Sequence, residues 1–154
     1  MKIHCTNTKT FELVDGSETL GQIHYDSLFS YKADARAGNN HYTITPKGIF
    51  STTIAVAQHG TEVATMQMNW KGQIILCFTD GKKYLLKPAG TFLSKYALED
   101  PGKQPILLLD PDFNWSKFNY NYTVSYETKP QDILLVLLAT YAATYYISSM
   151  AGTM

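Results

Sequence analysis

Residues Ile133–Met150, with the sequence ILLVLLATYAATYYISSM, are the most informative segment of this chain of 154 residues. It contains no charged residue, and its polar residues other than tyrosine are Thr140, Thr144, Ser148 and Ser149. A surface helix of a soluble protein shows a charged face, so a helix that is apolar on all sides must be buried in protein or in lipid. The stretch therefore predicts a helix whose whole circumference has to be covered.

The residues before this stretch carry the signals of a helix start. In Thr128-Lys129-Pro130-Gln131 a threonine stands three residues before a glutamine, which is the spacing of a capping box, and proline is tolerated in the first helical turn. Asp132 is favourable near the positive end of the helix dipole. The sequence predicts one helix from Lys129 to about Met150.

The sequence is compatible with two environments that could bury this helix, a lipid bilayer and the rest of the protein. As a membrane segment, residues 133–151 would extend roughly 28 Å at about 1.5 Å per residue, close to a bilayer core of about 30 Å, and the chain would be tail-anchored. Against this, Lys129 is the one cation near the helix start and no Lys or Arg follows the helix, although membrane boundaries commonly carry cations. The other covering is a barrel formed by the rest of the chain.

The residues before the helix predict that barrel. Residues 10–126 alternate between apolar and polar in short stretches, most strictly in Asn119–Tyr126, and turn residues separate the stretches. Asp80-Gly81 is typical of a two-residue type I′ hairpin turn. A barrel of this many strands has a lumen wider than its own side chains fill. We predict a mainly β protein, one domain over residues 1–154, in which a closed antiparallel β-barrel of about ten to twelve strands surrounds the C-terminal helix.

Composition excludes several classes of function. The 13 Lys and Arg balance 13 Asp and Glu, and Arg36 is the single arginine, so the chain lacks the electrostatic footprint of a protein that binds duplex nucleic acid. With 45% hydrophobic and 17% charged residues, the chain is also too apolar for a disordered segment. We expect no nucleic-acid partner.

Motifs for catalysis or metal binding are missing from the sequence. Cys5 and Cys77 lie far apart without metal-ligand spacing, and no pattern such as Gly-x-Ser-x-Gly is present. Residues 110–114, Asp-Pro-Asp-Phe-Asn, open like a calcium loop, but Trp115 and Asn121 stand where that loop needs glycine and glutamate, so we expect a turn. No apolar run follows Lys2, so no signal peptide is expected. We expect a cytoplasmic protein that is not an enzyme and has no cofactor or metal.

The chain resembles a known superfamily. An apolar helix over Asp132–Tyr145 after ten to twelve strands is similar to the tubby-like C-terminal superfamily, which includes tubby proteins, LURP-one-related proteins and phospholipid scramblases. Phe92, Tyr96–Asp100, Gly102 and Ile106 also resemble strand–turn–strand units of the LURP-one-related branch. The resemblance implies a closed barrel around the helix. Tubby proteins bind phosphoinositides through basic residues and scramblases are linked to lipid movement, but no matching motif is present, so no site residue is carried over.

Lysines are the candidate site residues. Between Asp80 and Lys103 the lysines outnumber the acidic residues by two, and the candidate set is Lys71, Lys82, Lys83 and Lys87. If the sheet brings these four together, they would hold a phosphate or an anionic lipid head group, each contact being worth about 1 kcal/mol at a membrane surface. The alternative is that they lie on edge strands and prevent sheet pairing.

The sequence thus predicts a non-enzymatic binding module for anionic lipid head groups or another small anionic ligand, peripheral at the membrane. Two alternatives stay open. One is an interaction scaffold whose exposed tyrosines contact a protein partner, and the other is a tail-anchored protein with residues 133–151 in the bilayer. The oligomeric state is left open.

Overall fold

A computed structural model describes residues 1–7, 9–27, 30–47, 53–69, 71–90, 94–114 and 119–151. In these residues twelve β-strands are followed by one α-helix. In chain order the elements are β1 (Lys2–Asn7), β2 (Thr10–Asp15), β3 (Glu18–Tyr25), β4 (Ala33–Ala37), β5 (Asn40–Pro46), β6 (Thr53–Gln58), β7 (Thr61–Met68), β8 (Ile74–Phe78), β9 (Lys83–Ala89), β10 (Lys95–Glu99), β11 (Pro105–Asn114), β12 (Asn119–Ser125) and α1 (Ile133–Ala151).

The twelve strands form one closed antiparallel barrel. Each strand pairs with its neighbours in sequence, and β1 pairs with β12 to close the ring, with Ile3 opposite Tyr122. Closing a sheet on itself removes the exposed edges on which other chains could pair. The prediction of a mainly β, closed antiparallel barrel is confirmed.

Alternation along each strand decides which side chains face the interior. On β4, Ala33, Ala35 and Ala37 are buried while Asp34 and Arg36 are exposed. Successive side chains of a strand point to opposite faces, so one set lines the interior and the other faces solvent. The inward set on β4 is made only of alanines, which leaves space beside this strand for the helix.

Helix α1 fills the interior of the barrel. Ten consecutive residues, Leu134–Ala143, are each at most 8% exposed, and together they cover every face of the helix because a turn takes 3.6 residues. The polar side chain among them, Thr140, donates its hydroxyl to the carbonyl of Val136 at 2.9 Å, so burial leaves it satisfied. Protein therefore covers the apolar surface of these residues, as the barrel prediction requires.

The helix packs against β3 and β4, where small residues face it. Gly21 on β3 is buried, and a methyl group added to it would lie 3.0 Å from Leu137 Cδ1 and 3.2 Å from Ile133 Cγ2. Real carbon contacts of this kind are seldom so short. Glycine at this position therefore allows the helix to approach the wall of the barrel.

The observed helix starts later than the predicted Lys129. It begins at Ile133, and Asp132 caps it, since the Asp132 carboxylate accepts a hydrogen bond from the backbone N–H of Leu135 at 3.2 Å. Lys129 instead donates to the carboxylate of Asp15 at the end of β2. The capping-box spacing at Thr128 was misleading because Asp132, nearer the apolar run, supplies the cap.

The chain alternates between the two ends of the barrel. The helix enters where Lys129 meets Asp15, and we call this end, with the connections 16–17, 38–39, 59–60, 79–82, 100–104 and 126–132, the entry end. At the opposite end, Tyr145 of the helix contacts Tyr31, which precedes β4, with ring centroids 4.7 Å apart. We call that end, with the connections 8–9, 26–32, 47–52, 69–73, 90–94 and 115–118, the exit end.

Two strand predictions need correction. The strands were predicted to begin at Thr10, but Lys2–Asn7 also forms a strand, β1. This strand is held in the barrel by its pairing with β12, which is distant in sequence. The segment Asp110–Asn114 was expected to be a turn, yet it continues β11, where Asp112 lies opposite Asn121 and accepts its N–H at 2.6 Å. Pro111 lies beyond Leu109, the last β11 residue paired with β10 in the described ladder, so its missing N–H removes no bond there.

The Asp80-Gly81 turn differs from the predicted type I′ form. The N–H of Gly81 donates to the carbonyl of Phe78 at 3.0 Å, and the N–H of Phe78 donates to the carbonyl of Lys82 at 2.8 Å. This is a three-residue loop in which Gly81, at a φ of 96°, takes the left-handed position after the turn. The hairpin is present as expected, but its loop is one residue longer.

Candidate functional site

The barrel separates the four candidate lysines. Lys71 lies in the β7–β8 connection at the exit end, whereas Lys82 and Lys83 lie at or next to the β8–β9 connection at the entry end. Strand β8 stands between the two connections, and its five residues span roughly 13 Å at about 3.3 Å per residue. The four lysines are therefore not one cluster, and their role in binding an anion stays a prediction.

Lys87 belongs to neither end. It lies on the outer wall, where its Nζ is 2.8 Å from Oε1 of Glu99, whose side chain is only 12% exposed. Because the barrel is closed, none of the candidate lysines lies on a free sheet edge, so the edge-protection alternative does not apply to them in this fold. Lys87 instead neutralises a carboxylate on the neighbouring strand β10.

Lys83 borders a groove on the outer wall near the entry end. The groove has a volume of about 210 Å³ and its lining is mainly apolar, with Ile75, Leu85 and Pro101 among its residues. Asp100 also lines it. An anion in this groove would therefore approach a carboxylate, which repels it.

The two ends of the barrel differ in charge. The connections at the exit end contain five lysines and one acidic residue, whereas those at the entry end contain three lysines and four acidic residues. The exit-end residues are Lys9, Lys32, Lys47, Lys71 and Lys117 with Asp26; among these, Lys117 lies outside the described residues. The zero net charge of the chain thus conceals a positive end and a slightly negative end.

Some lysines near the exit end are paired with carboxylates. Lys32 Nζ is 4.0 Å from Asp26, and Lys47 Nζ is 2.9 Å from Glu62, with both lysine side chains more than half exposed. Exposed ion pairs of this kind contribute about 0–1 kcal/mol, because water already screens the charges. These two ion pairs therefore contribute little to the stability of the fold.

Tyrosines surround the part of the helix that faces the exit end. Tyr141 stacks on Tyr25 with ring centroids 5.7 Å apart, and Tyr146 meets Tyr96 at 5.6 Å. The hydroxyl of Tyr141 donates to the backbone carbonyl of Tyr31 at 2.5 Å. Aromatic residues with a polar tip suit a place where an apolar interior meets water. The side chains packed around the helix inside the barrel thus change from aliphatic at the entry end to aromatic at the exit end.

Burial keeps these phenols neutral. It raises the pKa of Tyr25 and of Tyr122 well above the ordinary value, and raises the pKa of Tyr96 to about 12. Tyr122 shares a hydrogen bond of 3.0 Å with the hydroxyl of Thr144 on the helix. A raised pKa keeps the tyrosine hydroxyl protonated. These shifts therefore do not identify a base or a nucleophile.

The connections at the exit end also differ from those at the entry end in sequence. They contain ten bulky apolar or aromatic residues, whereas those at the entry end contain Tyr126 alone. The ten are Leu28, Phe29, Tyr31, Ile49, Phe50, Trp70, Phe92, Leu93, Trp115 and Phe118, of which Tyr31 belongs to the described residues. Sequence reasoning missed this asymmetry, although the alternation of polar glycine-rich turns with aromatic ones is visible once strand order is known.

Metal-binding clusters and membrane-spanning helices are both missing from the part of the chain that the structure describes. No group of three or more His, Cys, Asp or Glu side chains in the described residues is arranged to hold a metal ion. Within those residues, no helix combines the length and the apolar character needed to cross a membrane.

Comparison with known proteins gives no relative for this chain. No family model, no curated protein and no solved structure matches it. The structure itself is a closed barrel of twelve antiparallel strands with one C-terminal helix.

Proposed function

We propose that this protein is a non-enzymatic binding module that recognises anionic lipid head groups through the exit end of its barrel. The observation that carries the proposal is the charge of that end, where four lysines stand against one acidic residue among the described residues. A positive surface of this kind attracts anions over a distance of about 10 Å at moderate salt. The tubby-like resemblance belongs to the same proposal and is supported by the barrel and its C-terminal helix.

The magnitude suits reversible binding. Each lysine near an anionic membrane surface contributes about 1 kcal/mol, so the four described lysines supply about 4 kcal/mol before other contacts are added. The entry end has no such excess, because its three lysines face four acidic residues. Anionic ligands should therefore prefer the exit end, and added salt should weaken their binding.

Sedimentation with vesicles tests the proposal. The full chain is mixed with phosphatidylcholine vesicles with and without phosphatidylserine at low salt. We expect retention that requires phosphatidylserine and decreases as salt is added. If phosphatidylserine vesicles retain no protein at low salt, the proposal is wrong.

Charge reversal shows which end binds. The variant Lys9→Glu with Lys71→Glu changes the exit end, and the matched variant Lys82→Glu with Lys83→Glu changes the entry end by the same four units of charge. We expect a loss of retention of tenfold or more for the first, since about 1 kcal/mol per lysine is removed and repulsion is added. The second variant should retain nearly all binding. The reverse order would support the entry-end lysines as the site and contradict the assignment to the exit end.

A further inference from the structure

The lysines of the exit end are spread around the rim and do not converge on one point. Lys9 lies between β1 and β2, and Lys71 lies between β7 and β8, six strands further around a ring of twelve. Twelve strands about 4.8 Å apart and tilted by about 40° form a rim about 24 Å across. Lys32 and Lys47 lie in the connections between these two. A single phosphate cannot contact cations on opposite sides of such a rim, whereas a flat anionic surface can contact all of them.

Aromatic and aliphatic side chains accompany the lysines at this end. Tyr31, Tyr145, Tyr146 and Ile147 are partly exposed, and the Tyr31 and Tyr145 rings pack against each other where the helix leaves the barrel. Tyrosine and tryptophan are enriched where protein meets the water interface of a membrane, because an apolar ring and a polar tip suit that layer. The described part of the exit end thus combines amphipathic rings with surrounding cations.

The sequences between the described strand ends add to this pattern. Five of the six exit-end connections contain bulky apolar residues, and both tryptophans of the chain, Trp70 and Trp115, are among them although outside the described residues. The connections at the opposite end contain Asp-Gly and other polar turns. Surface binding that combines apolar insertion with basic residues is stronger than either signal alone.

We propose that the partner of the exit end is the interface of an intact anionic bilayer, with this end of the barrel facing the lipid and the entry end facing water. The inference rests on the proposed function and adds the orientation and the need for a surface. It requires no movement of α1, because the apolar part of the helix stays enclosed in the barrel.

Tryptophan emission tests the orientation. Full-length protein is mixed with phosphatidylserine vesicles in which the phosphatidylcholine is brominated near the top of its acyl chains. Because both tryptophans belong to exit-end connections, we expect a loss of emission that saturates with added lipid and is missing with unbrominated vesicles. Retention by these vesicles without any quenching would overturn the inference while leaving the proposed function intact. No retention at low salt would instead refute the proposed function.

Labelled cysteines give a second readout from described positions. In a background with Cys5→Ser and Cys77→Ser, one variant carries Ser27→Cys at the exit end and another carries Ser17→Cys at the entry end; both serines are exposed. With a polarity-sensitive dye attached, we expect a blue shift on vesicle binding for the Ser27→Cys variant and none for the Ser17→Cys variant. Equal shifts, or a shift at Ser17→Cys alone, would overturn the orientation. Circular dichroism of both variants serves as the control that they are folded.

Discussion

Replacing Gly21 with alanine tests the contact between helix and barrel. The added methyl group would lie 2.5 Å from the backbone carbonyl oxygen of Arg36 on the neighbouring strand, in addition to its short distances from Leu137 and Ile133. Real Cβ atoms essentially never stand so close to another heavy atom. The carbonyl belongs to a strand paired with β3, so relief of this contact requires movement of β3 or β4.

Two opposing contributions decide the size of the effect. Insertion of a methyl group into a packed core costs about 1–3 kcal/mol through shifts of backbone and side chains. The backbone of Gly21 is outside the left-handed region, so alanine also restricts the unfolded chain, which stabilises the protein by about 0.4–1 kcal/mol. Because the shortest contact involves backbone, we place the packing cost near its upper limit and expect a net loss of about 2 kcal/mol.

Urea unfolding followed by circular dichroism measures this loss. For a chain of this length, about 2 kcal/mol corresponds to a decrease in Tm of roughly 4–8 °C. Gly102→Ala is a matched control, since Gly102 is exposed in the β10–β11 turn, is also outside the left-handed region, and would meet only the Asp100 carboxylate, at 3.3 Å. We expect the control to be neutral or slightly stabilising. If Gly21→Ala unfolds at the same urea concentration as the control, the tight packing of Gly21 against β4 and the helix is not real.

Three further predictions concern the helix and its surroundings. Leu137→Ala should lower the free energy of unfolding by about 2–5 kcal/mol in the urea assay, because Leu137 is 1% exposed. Leu108→Ala on the outer wall should cost less, and equal losses would contradict the interior position of the helix. Asp132→Ala should cost about 0.5–2 kcal/mol and Asp132→Asn much less, since asparagine keeps a capping oxygen; similar losses would show that the capping hydrogen bond is not what stabilises the helix start. The raised pKa of Tyr96, about 12 against 10.0, means that the unfolded chain releases this proton first, so its stabilising contribution is complete below pH 10 and is lost as the pH rises towards 12. Phenolate absorbance at alkaline pH should therefore lag behind that of the same protein unfolded in urea, and coincident titrations would contradict the burial of the tyrosines.

Local patterns were enough to predict most elements of the fold. The alternation of Asn119–Tyr126 predicts a strand and the turn at Asp80-Gly81 predicts a hairpin, because each depends on residues close together in the chain. Strand β1 was missed because Lys2–Asn7 has little apolar content, and its pairing partner β12 lies more than a hundred residues away. Non-local pairing leaves no local signal.

The structure separates the candidate lysines that the sequence grouped together. The lysine set joined Lys71 to Lys82 and Lys83 because they are near one another in sequence, yet one strand of the meander separates them into opposite ends. Residues that share an end, such as Lys9 and Lys71, are far apart in sequence. Proximity along the chain is therefore a poor guide to proximity on a barrel rim.

The amino-acid pattern alone was enough to predict a helix that is apolar on all sides, a series of alternating strands, and the covering of the helix by those strands. These follow from the periods of helices and strands and from the cost of exposing apolar surface. The tertiary structure alone decided that there are twelve strands, that β1 closes the ring on β12, and that alternate connections gather at opposite ends. The physical reason is that an antiparallel meander reverses direction at every turn, so the charges and aromatic residues of the chain are sorted between the ends by strand order and not by sequence distance.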